Sequence, residues 1–142
     1  MIVLLVRHGR AGKRSEWTGD DRLRPLDGKG RRQAQGLPGL LSNYEIERIF
    51  SSPYLRCTQT VEPLAAARGL AVEEVDALAE GAAKADVLGL LEPPAARCVV
   101  CCTHGDVVDE LVGEELPKGS TEVLELDGAR LSRVRHLGRP PV

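Results

Sequence analysis

The sequence predicts a single α/β domain, a three-layer α/β/α fold in which helices cover both faces of a mostly parallel sheet. Two continuous apolar runs, IVLLV at residues 2–6 and CVVCC at residues 98–102, are typical of strands buried on both faces. Segments of helical character alternate with short strands, which is the pattern of layered α/β domains. With 142 residues, the chain is long enough for one such domain and too short for two of ordinary size.

The strands are predicted from runs of β-branched residues and leucine, and from the turns that bound them. The first strand stops before Arg7-His8-Gly9, and the fourth is followed by Thr103. The last two strands flank Asp127-Gly128, a pair that favours a tight hairpin turn. The six strands are predicted at residues 2–6, 46–50, 70–75, 98–102, 121–126 and 130–136.

The helices are predicted mainly from their start and stop signals. Asp27 can cap the first helix, and Pro38 is expected to interrupt or kink it. Ser51-Ser52-Pro53 predicts the start of the second helix, with serine as the N-cap and proline at the first helical position. Pro63 is a candidate break in this helix. The four helices are predicted at residues 28–41, 53–69, 85–91 and 107–116.

The remaining signals complete the outline of the domain. Pro93-Pro94 is expected to end the third helix, and Asp106 can cap the fourth. Residues 10–25 are polar and predict a long loop of the functional kind. We therefore expect residues 1–137 to form one domain and residues 138–142, which include two prolines, to form a loose tail.

The composition argues against nucleic acid and membranes as partners. The 19 Lys+Arg and 21 Asp+Glu residues leave a net charge of −2, whereas proteins that bind nucleic acid or anionic membranes usually have a basic excess. The chain has one Trp, two Tyr and one Phe, too few to build a stacking platform for single-stranded nucleic acid. No export signal or membrane span is expected at residues 1–6, because this apolar run is short.

The cysteines predict a cytoplasmic protein with reduced thiols. There are four of them in a chain without an expected export signal. Cys98 and Cys101 have the Cys-x-x-Cys spacing of some metal and redox sites, but side chains three residues apart on a strand point to opposite faces. We therefore expect no metal site and no cofactor.

Polar residues suited to phosphate chemistry follow the predicted strands. Arg7-His8-Gly9 follows the first strand, Arg56 lies just inside the helix after the second, and Thr103-His104-Gly105 follows the fourth. Because ligands of open α/β sheets bind beyond the carboxyl ends of the strands, we expect two arginines and two histidines to meet there. Guanidinium groups bind phosphate oxygens bidentately, and a neutral imidazole can attack phosphorus. A second, protonated imidazole can stabilise the charge on the transferring group.

At these residues the chain resembles the histidine phosphatase superfamily, the phosphoglycerate-mutase-like group. Three segments carry the resemblance in the expected order: Leu5-Val6-Arg7-His8-Gly9, Ser52-Pro53-Tyr54-Leu55-Arg56-Cys57-Thr58-Gln59-Thr60, and Thr103-His104-Gly105. The resemblance implies the phosphoglycerate-mutase-like α/β fold and a metal-independent phosphatase. Within the superfamily, Asp21-Arg22-Leu23-Arg24-Pro25-Leu26 resembles the short SixA-type branch. The chain is also similar to the phosphatase domain appended to some MutT-type Nudix hydrolases, through this segment and Lys118-Gly119-Ser120-Thr121.

The resemblance also implies roles for individual residues. His8 would be the nucleophile that becomes phosphorylated, and a phosphate pocket would be formed by Arg7, Gly9, Arg56 and His104. The general acid of the superfamily usually follows Leu-x, which makes Glu80 in Leu78-Ala79-Glu80-Gly81 the candidate. The other interpretation of Glu80 is a solvated loop carboxylate.

Two further segments keep two interpretations each. Arg24 either reaches the substrate or holds its loop through Asp20 or Asp21. Lys118 and Ser120 either line a pocket or form a strand-entry turn, and the turn is favoured.

The expected activity is hydrolysis of a phosphate monoester, phosphoanhydride or phosphohistidine through a covalent intermediate on His8. The substrate would be a phosphorylated small molecule, a nucleotide or a phosphoprotein. Glu80 favours a bond from phosphorus to oxygen, because a nitrogen leaving group can be protonated without a strong acid. The alternatives are a phosphoglycerate-mutase-type phosphotransferase and a non-catalytic module that binds phosphate for regulation.

Overall fold

A computed structural model of the protein describes residues 1–92 and 96–141, which form one six-stranded sheet with helices on both faces. The strands are β1 (Ile2–Arg7), β2 (Arg48–Ser51), β3 (Val72–Glu74), β4 (Cys98–Thr103), β5 (Thr121–Asp127) and β6 (Arg130–Gly138). The helices are α1 (Gly28–Leu40), α2 (Leu55–Arg68), α3 (Lys84–Leu90) and α4 (Gly105–Val112). Within the described ranges, no helix combines the length and the apolarity needed to cross a membrane.

The sheet is mostly parallel, as the sequence predicts. Its strand order is β3-β2-β4-β1-β5-β6. The pairs β3–β2, β2–β4 and β4–β1 are parallel, and β5 pairs antiparallel with both β1 and β6. The hairpin between β5 and β6 turns at Gly128, which has a φ of 62°. Because β1, β2 and β4 are parallel neighbours, their carboxyl ends lie at the same edge of the sheet.

Alternate residues of the central strands enter two separate cores. Leu4 and Val6 of β1 pack with α1 and α2 on one face, whereas Val3 and Leu5 pack with α3 and α4 on the other. Cys98 belongs to the first core and Cys101 to the second, so the prediction that these two thiols point apart is confirmed. Burial raises the pKa of Cys101 to about 12, which keeps this side chain a neutral thiol.

Both helices with an internal proline are continuous, so α1 is not interrupted at Pro38 and the predicted break at Pro63 is wrong. Pro38 lies in the last turn of α1, and Pro63 lies in the middle of α2. A proline inside a helix costs about 3 kcal/mol through a lost hydrogen bond and a steric clash. In α2, the neighbouring Val61 and Leu64 are fully buried in the first core, and this packing offsets the local cost.

Helices α2 and α4 begin two residues away from their predicted starts, whereas α3 begins one residue early, at Lys84. Helix α2 begins at Leu55 instead of Pro53, because Ser51 still belongs to β2 and the Ser52 hydroxyl accepts from the Tyr54 amide ahead of the helix. Helix α4 begins at Gly105, so Asp106 lies inside its first turn. The Asp106 carboxylate does not cap its own helix but accepts from the Gly81 amide, 2.8 Å away.

The ends of the chain also differ from the prediction. Strand β6 extends to Gly138, and Pro140 is buried where it packs against Gly36. The loose tail predicted from residue 138 onward is therefore packed as far as Pro140, because the small Gly36 leaves room for the proline ring. Pro93-Pro94, the predicted stop of the third helix, lies outside the described residues, and so does Val142.

Candidate active site

The carboxyl ends of β1 and β4 and the first turn of α2 bring most of the predicted site residues to one cavity. Its volume is about 680 Å³. The predicted residues that line it are Arg7, His8, Arg24, Arg56, Glu80 and His104. The remaining side chains of the wall are mostly charged: Lys13, Arg14, Asp106, Asp109, Glu115 and Lys118. The cavity is therefore a polar cleft with its cations close to the two histidines.

His8 presents its Nε2 atom to the cavity without a proton. Its Nδ1 lies 2.7 Å from the Gly9 carbonyl oxygen, and because a carbonyl only accepts, Nδ1 carries the proton. Burial lowers the pKa of His8 to about 3, and the positive charges of Arg56 and Arg7 contribute to the same shift. The ring is therefore neutral at physiological pH, with the Nε2 lone pair available for attack.

Contacts to the Nε2 atom of His104 hold its ring beside His8. The two ring centroids are 5.4 Å apart. His104 Nε2 lies 2.8 Å from the Ser52 hydroxyl and 3.6 Å from the Cys57 thiol. Its Nδ1 is buried and has no hydrogen-bond partner within the described residues. Tyr54 packs edge-on against the ring with a centroid separation of 4.6 Å, so the imidazole is fixed on two sides.

Arg56 is the most deeply buried charge of the site, with 1% of its surface exposed. Its Nη1 donates to the Asp21 carbonyl at 2.8 Å, and its Nη2 donates to the Asp21 carboxylate at 3.1 Å. The same Nη2 lies 3.6 Å from Glu80 Oε2. Burial by itself raises the pKa of Asp21, but hydrogen bonding from Arg24 and the charges of Arg56 and Arg14 lower it overall. Asp21 therefore stays ionised beside the buried guanidinium.

Arg7 depends on a glycine for its position. Its Nη1 donates to the Leu116 carbonyl, and its Nε is buried without a partner in the described part of the chain. A Cβ atom at Gly105 would lie 2.6 Å from the Arg7 guanidinium carbon. Since real Cβ atoms do not approach this closely, only glycine at position 105 lets the guanidinium lie across the start of α4.

Glu80 is placed at the cavity by two cations and by its loop. Glu80 Oε1 accepts from Arg14 Nη2 at 2.6 Å, and Oε2 faces Arg56. The loop before and after it is fastened to the β4–α4 segment, because the Thr103 hydroxyl donates to the Leu78 carbonyl at 2.6 Å and Asp106 holds the Gly81 amide. The carboxylate is therefore fixed at the wall of the cavity and is not a free surface group.

Gly9 and Arg24 make hydrogen bonds that position the segments around the cavity. The Gly9 amide donates to the Thr60 hydroxyl at 2.9 Å, and Gly9 is absent from the cavity wall, so the structure does not place it as a contact to phosphate. Arg24 donates through Nε to Asp21 at 3.0 Å and through Nη1 to the Ala11 carbonyl at 2.7 Å. It holds the loop of residues 10–25, and it also lines the cavity.

Arg14 belongs to the site although the sequence patterns do not single it out. Asp21 joins three arginines, and Arg14 bridges Asp21 and Glu80. Lys118 lies at the wall although a simple turn was favoured, whereas the Ser120 hydroxyl donates to the Pro117 carbonyl within that turn. Cys57, a buried residue of α2, also contacts His104. The Arg14–Glu80 pair joins residues 66 positions apart, so no local signal could have found it.

Cys57 differs from the other described cysteines in its electrostatics. Burial raises its pKa, but hydrogen bonding with Cys102 and His104 lowers the pKa of this thiol below its ordinary value overall. The thiol is therefore a polarisable neighbour of the His104 imidazole.

Comparisons with known proteins identify the family of this chain. Residues 3–86 match the profile of the histidine phosphatase superfamily (branch 1). The chain belongs to the histidine phosphatase superfamily. It is 36% identical to the 8-oxo-(d)GTP phosphatase of Mycolicibacterium smegmatis over 97% of its own length, and it spans 48% of that relative.

Solved structures show the same fold. The protein histidine phosphatase SixA, complexed with tungstate, has a TM-score of 0.76 and 27% identity, with 97% of each chain covered. The mycobacterial glucosyl-3-phosphoglycerate phosphatase has a TM-score of 0.75 and 16% identity, covering 96% of this chain and 98% of its own. The fold of this histidine phosphatase is therefore phosphoglycerate-mutase-like.

Replacing Gly105 with alanine is expected to weaken phosphate binding. The new Cβ would displace the flexible end of Arg7, so the chain still folds but the guanidinium moves. We expect the affinity for inorganic phosphate to fall about tenfold or more, equivalent to ~1.4 kcal/mol. Isothermal titration calorimetry measures it. Gly89→Ala is the matched control, because a Cβ there meets nothing within 4 Å. Equal affinities in the two variants would contradict the role of Gly105.

Removal of His8 is expected to make the stability of the protein less sensitive to acid. The pKa of His8 is about 3 in the folded state and about 6.5 in the unfolded chain. Between these values only the unfolded chain binds the proton, so the free energy of unfolding falls as the pH drops, by up to about 1.4 kcal/mol per pH unit. Urea denaturation of wild type and His8→Ala from pH 4 to 7 compares the slopes. The same slope in both proteins would show that His8 is not buried as a neutral ring.

Proposed function

We propose that this protein is a phosphatase that transfers a phosphoryl group from its substrate to His8 and then to water. The substrates are phosphate monoesters or phosphoanhydrides. The observation that carries the proposal is the neutral His8 ring, whose proton is held on Nδ1 by the Gly9 carbonyl while Arg7 and Arg56 stand beside it. A free imidazole nitrogen among fixed cations is what attack on a phosphoryl dianion requires.

The first chemical step exchanges one bond to phosphorus for another. The lone pair of His8 Nε2 forms the N–P bond while the bond from phosphorus to the leaving oxygen breaks. Arg7 and Arg56 neutralise the phosphoryl oxygens, and His104 adds a donor on the same side of the cavity. The leaving oxygen takes a proton from Glu80, which leaves product alcohol or phosphate and phosphohistidine.

The second step returns the enzyme to its starting state. Glu80, now a carboxylate, removes a proton from a water molecule. The water oxygen attacks phosphorus, the N–P bond breaks, and its electron pair returns to Nε2. Inorganic phosphate leaves, and Glu80 carries the proton it needs for the next cycle. Arg14 and Arg56 keep this carboxyl group at the cavity through both steps.

Two relatives support particular substrate classes. One is named for 8-oxo-(d)GTP, a nucleotide with phosphoanhydride bonds, although this chain spans about half of that protein. The other, SixA, is named a protein histidine phosphatase, and its complex with tungstate supports binding of a tetrahedral oxyanion in this fold. Glu80 favours the oxygen-linked substrates, because a nitrogen leaving group needs no such acid.

Labelling of His8 tests the phosphoenzyme directly. On rapid quenching after incubation with a ³²P-labelled aryl phosphate, we expect an acid-labile, base-stable label on wild type and none on His8→Ala. Turnover of the aryl phosphate should also be lost in His8→Ala, because the nitrogen that attacks phosphorus is removed.

The controls separate the alternatives. His136→Ala removes another histidine, far along the chain on β6, and should keep the label. Binding of phosphate without any turnover between about pH 4 and 8 would indicate a non-catalytic module, and transfer of the label to an added alcohol in preference to water would indicate a phosphotransferase. Loss of activity in EDTA would indicate a metal-dependent mechanism instead.

The role of Glu80 can be tested with leaving groups of different basicity. Glu80→Gln cannot donate the proton, so an alkyl phosphate should lose about 10²-fold in kcat/KM, whereas 4-nitrophenyl phosphate, whose leaving group needs no proton, should lose far less. Glu74→Gln, an exposed carboxylate on β3, is the matched control. Equal losses on both substrates would assign Glu80 to positioning of Arg56 and not to proton transfer.

A further inference from the structure

A second cavity adjoins the proposed active site. Its volume is about 310 Å³, and it shares Arg7, Glu115 and Lys118 with the first cavity. The two cavities therefore border the same three side chains, so a molecule that places one group beside His8 has a second cleft next to it. Nothing in the reaction of the first cavity uses the remaining side chains of the second.

The second cavity carries a large excess of positive charge. Its cations are Arg7, Arg10, Lys29, Lys118 and Arg139, and its one carboxylate is Glu115. Arg10 is partly neutralised by Asp27, 3.1 Å away, outside the wall. Among residues 1–92 and 96–141, no carboxylate lies within ion-pair distance of Lys29, Lys118 or Arg139. Burial lowers the pKa of Lys118, and the nearby Arg7, Arg24 and Arg10 lower it further, which indicates crowding of like charges.

The cations are brought together by a buried framework. Gln33 is 2% exposed, accepts from the Arg10 amide at 2.9 Å and donates to the Lys118 carbonyl at 3.2 Å. Gly119 has a φ of 84°, and a Cβ there would lie 2.8 Å from the Gln33 amide carbon, so the turn can approach Gln33 only as glycine.

The end of the chain completes the cleft. Pro140 packs against Gly36 of α1, and this contact holds the neighbouring Arg139 at the wall of the second cavity. Cations from four separated segments thus face one cleft. Holding like charges together is unfavourable without a counter-charge, so this arrangement fits a ligand that supplies one.

We propose that the substrate carries a second anionic group, a phosphate, and that this group binds in the cleft formed by Arg10, Lys29, Lys118 and Arg139. The inference rests on the proposed function, because the first phosphate is the one transferred to His8. It identifies the substrate class as compounds with two phosphate groups joined through a short spacer, as distinct from simple monoesters.

Matched substrate analogues test the second site without relying on turnover. Isothermal titration calorimetry of His8→Ala compares propane-1,3-diol bisphosphate with propyl phosphate, and ethane, butane and pentane analogues vary the spacer. We expect the best bisphosphate to bind at least tenfold more tightly than the monophosphate. The ratio of the two affinities, bisphosphate over monophosphate, should fall to about one or two in the double variant Lys29→Gln/Arg139→Gln in the same background. Two cations of the cleft are then gone.

Arg135→Gln, alone and combined with Arg130→Gln, provides the charge-matched control. Both arginines are exposed on β6 and outside either cavity, so the ratio should stay at the value of His8→Ala. Thermal unfolding checks that all variants are folded. An affinity ratio near one in His8→Ala itself would overturn the second site. An equal fall of the ratio in the Lys29/Arg139 and the Arg130/Arg135 double variants would also overturn it.

Three more outcomes distinguish a bound free phosphate ion from a second phosphate of the substrate, and the second site from the proposed function. Binding of two inorganic phosphate ions per chain without a preference for bisphosphates would mean that the cleft takes a separate ion, which contradicts the inference. Tight bisphosphate binding with no hydrolysis by the wild-type protein would support the cleft and reject the phosphatase. Hydrolysis of propyl phosphate without a bisphosphate preference would support the phosphatase and reject the cleft.

Discussion

The burial of the Arg56 guanidinium is the constraint on which the site depends. An arginine does not lose its proton in a protein, so a fully buried guanidinium must be matched by acceptors or carboxylates. Asp21 supplies both a carbonyl and a carboxylate, and Glu80 supplies a second negative charge. These partners come from the loop after β1 and the loop after β3. Neutralising one side chain therefore brings together segments that are far apart in the chain.

The same network controls His8. Asp21 also pairs with Arg14 and Arg24, so charge pairing holds the loop that lines the cavity. The cations left facing the cavity raise its positive potential, and together with burial they keep the His8 ring neutral. A positive site and an uncharged nucleophile are thus two results of one arrangement, and both favour reaction with a phosphoryl dianion.

Much of this arrangement is predictable because it follows strand ends. Arg7, His8 and His104 stand directly after apolar runs, and parallel strands place their carboxyl ends at one edge, so their convergence follows from the order of the elements. The start of α2 was not predictable in the same way. Ser52 reads as a helix cap, but its hydroxyl contacts His104, a residue 52 positions away, and the helix begins later. Asp106 reads as a cap for the same local reason and instead holds the Glu80 loop.

The sequence by itself determined the layered α/β class, the mostly parallel sheet and the identity of Arg7, His8, Arg56 and His104, because apolar runs and local motifs are properties of contiguous residues. Tertiary structure decided the rest. In the folded chain, Gly9 and Arg24 make hydrogen bonds that position neighbouring segments, and Arg14 pairs with Glu80. Pro140 packs against Gly36, and Arg139 borders a second basic cleft. These contacts join distant residues, and their formation depends on which buried charges and backbone groups remain to be satisfied once the sheet and helices have packed.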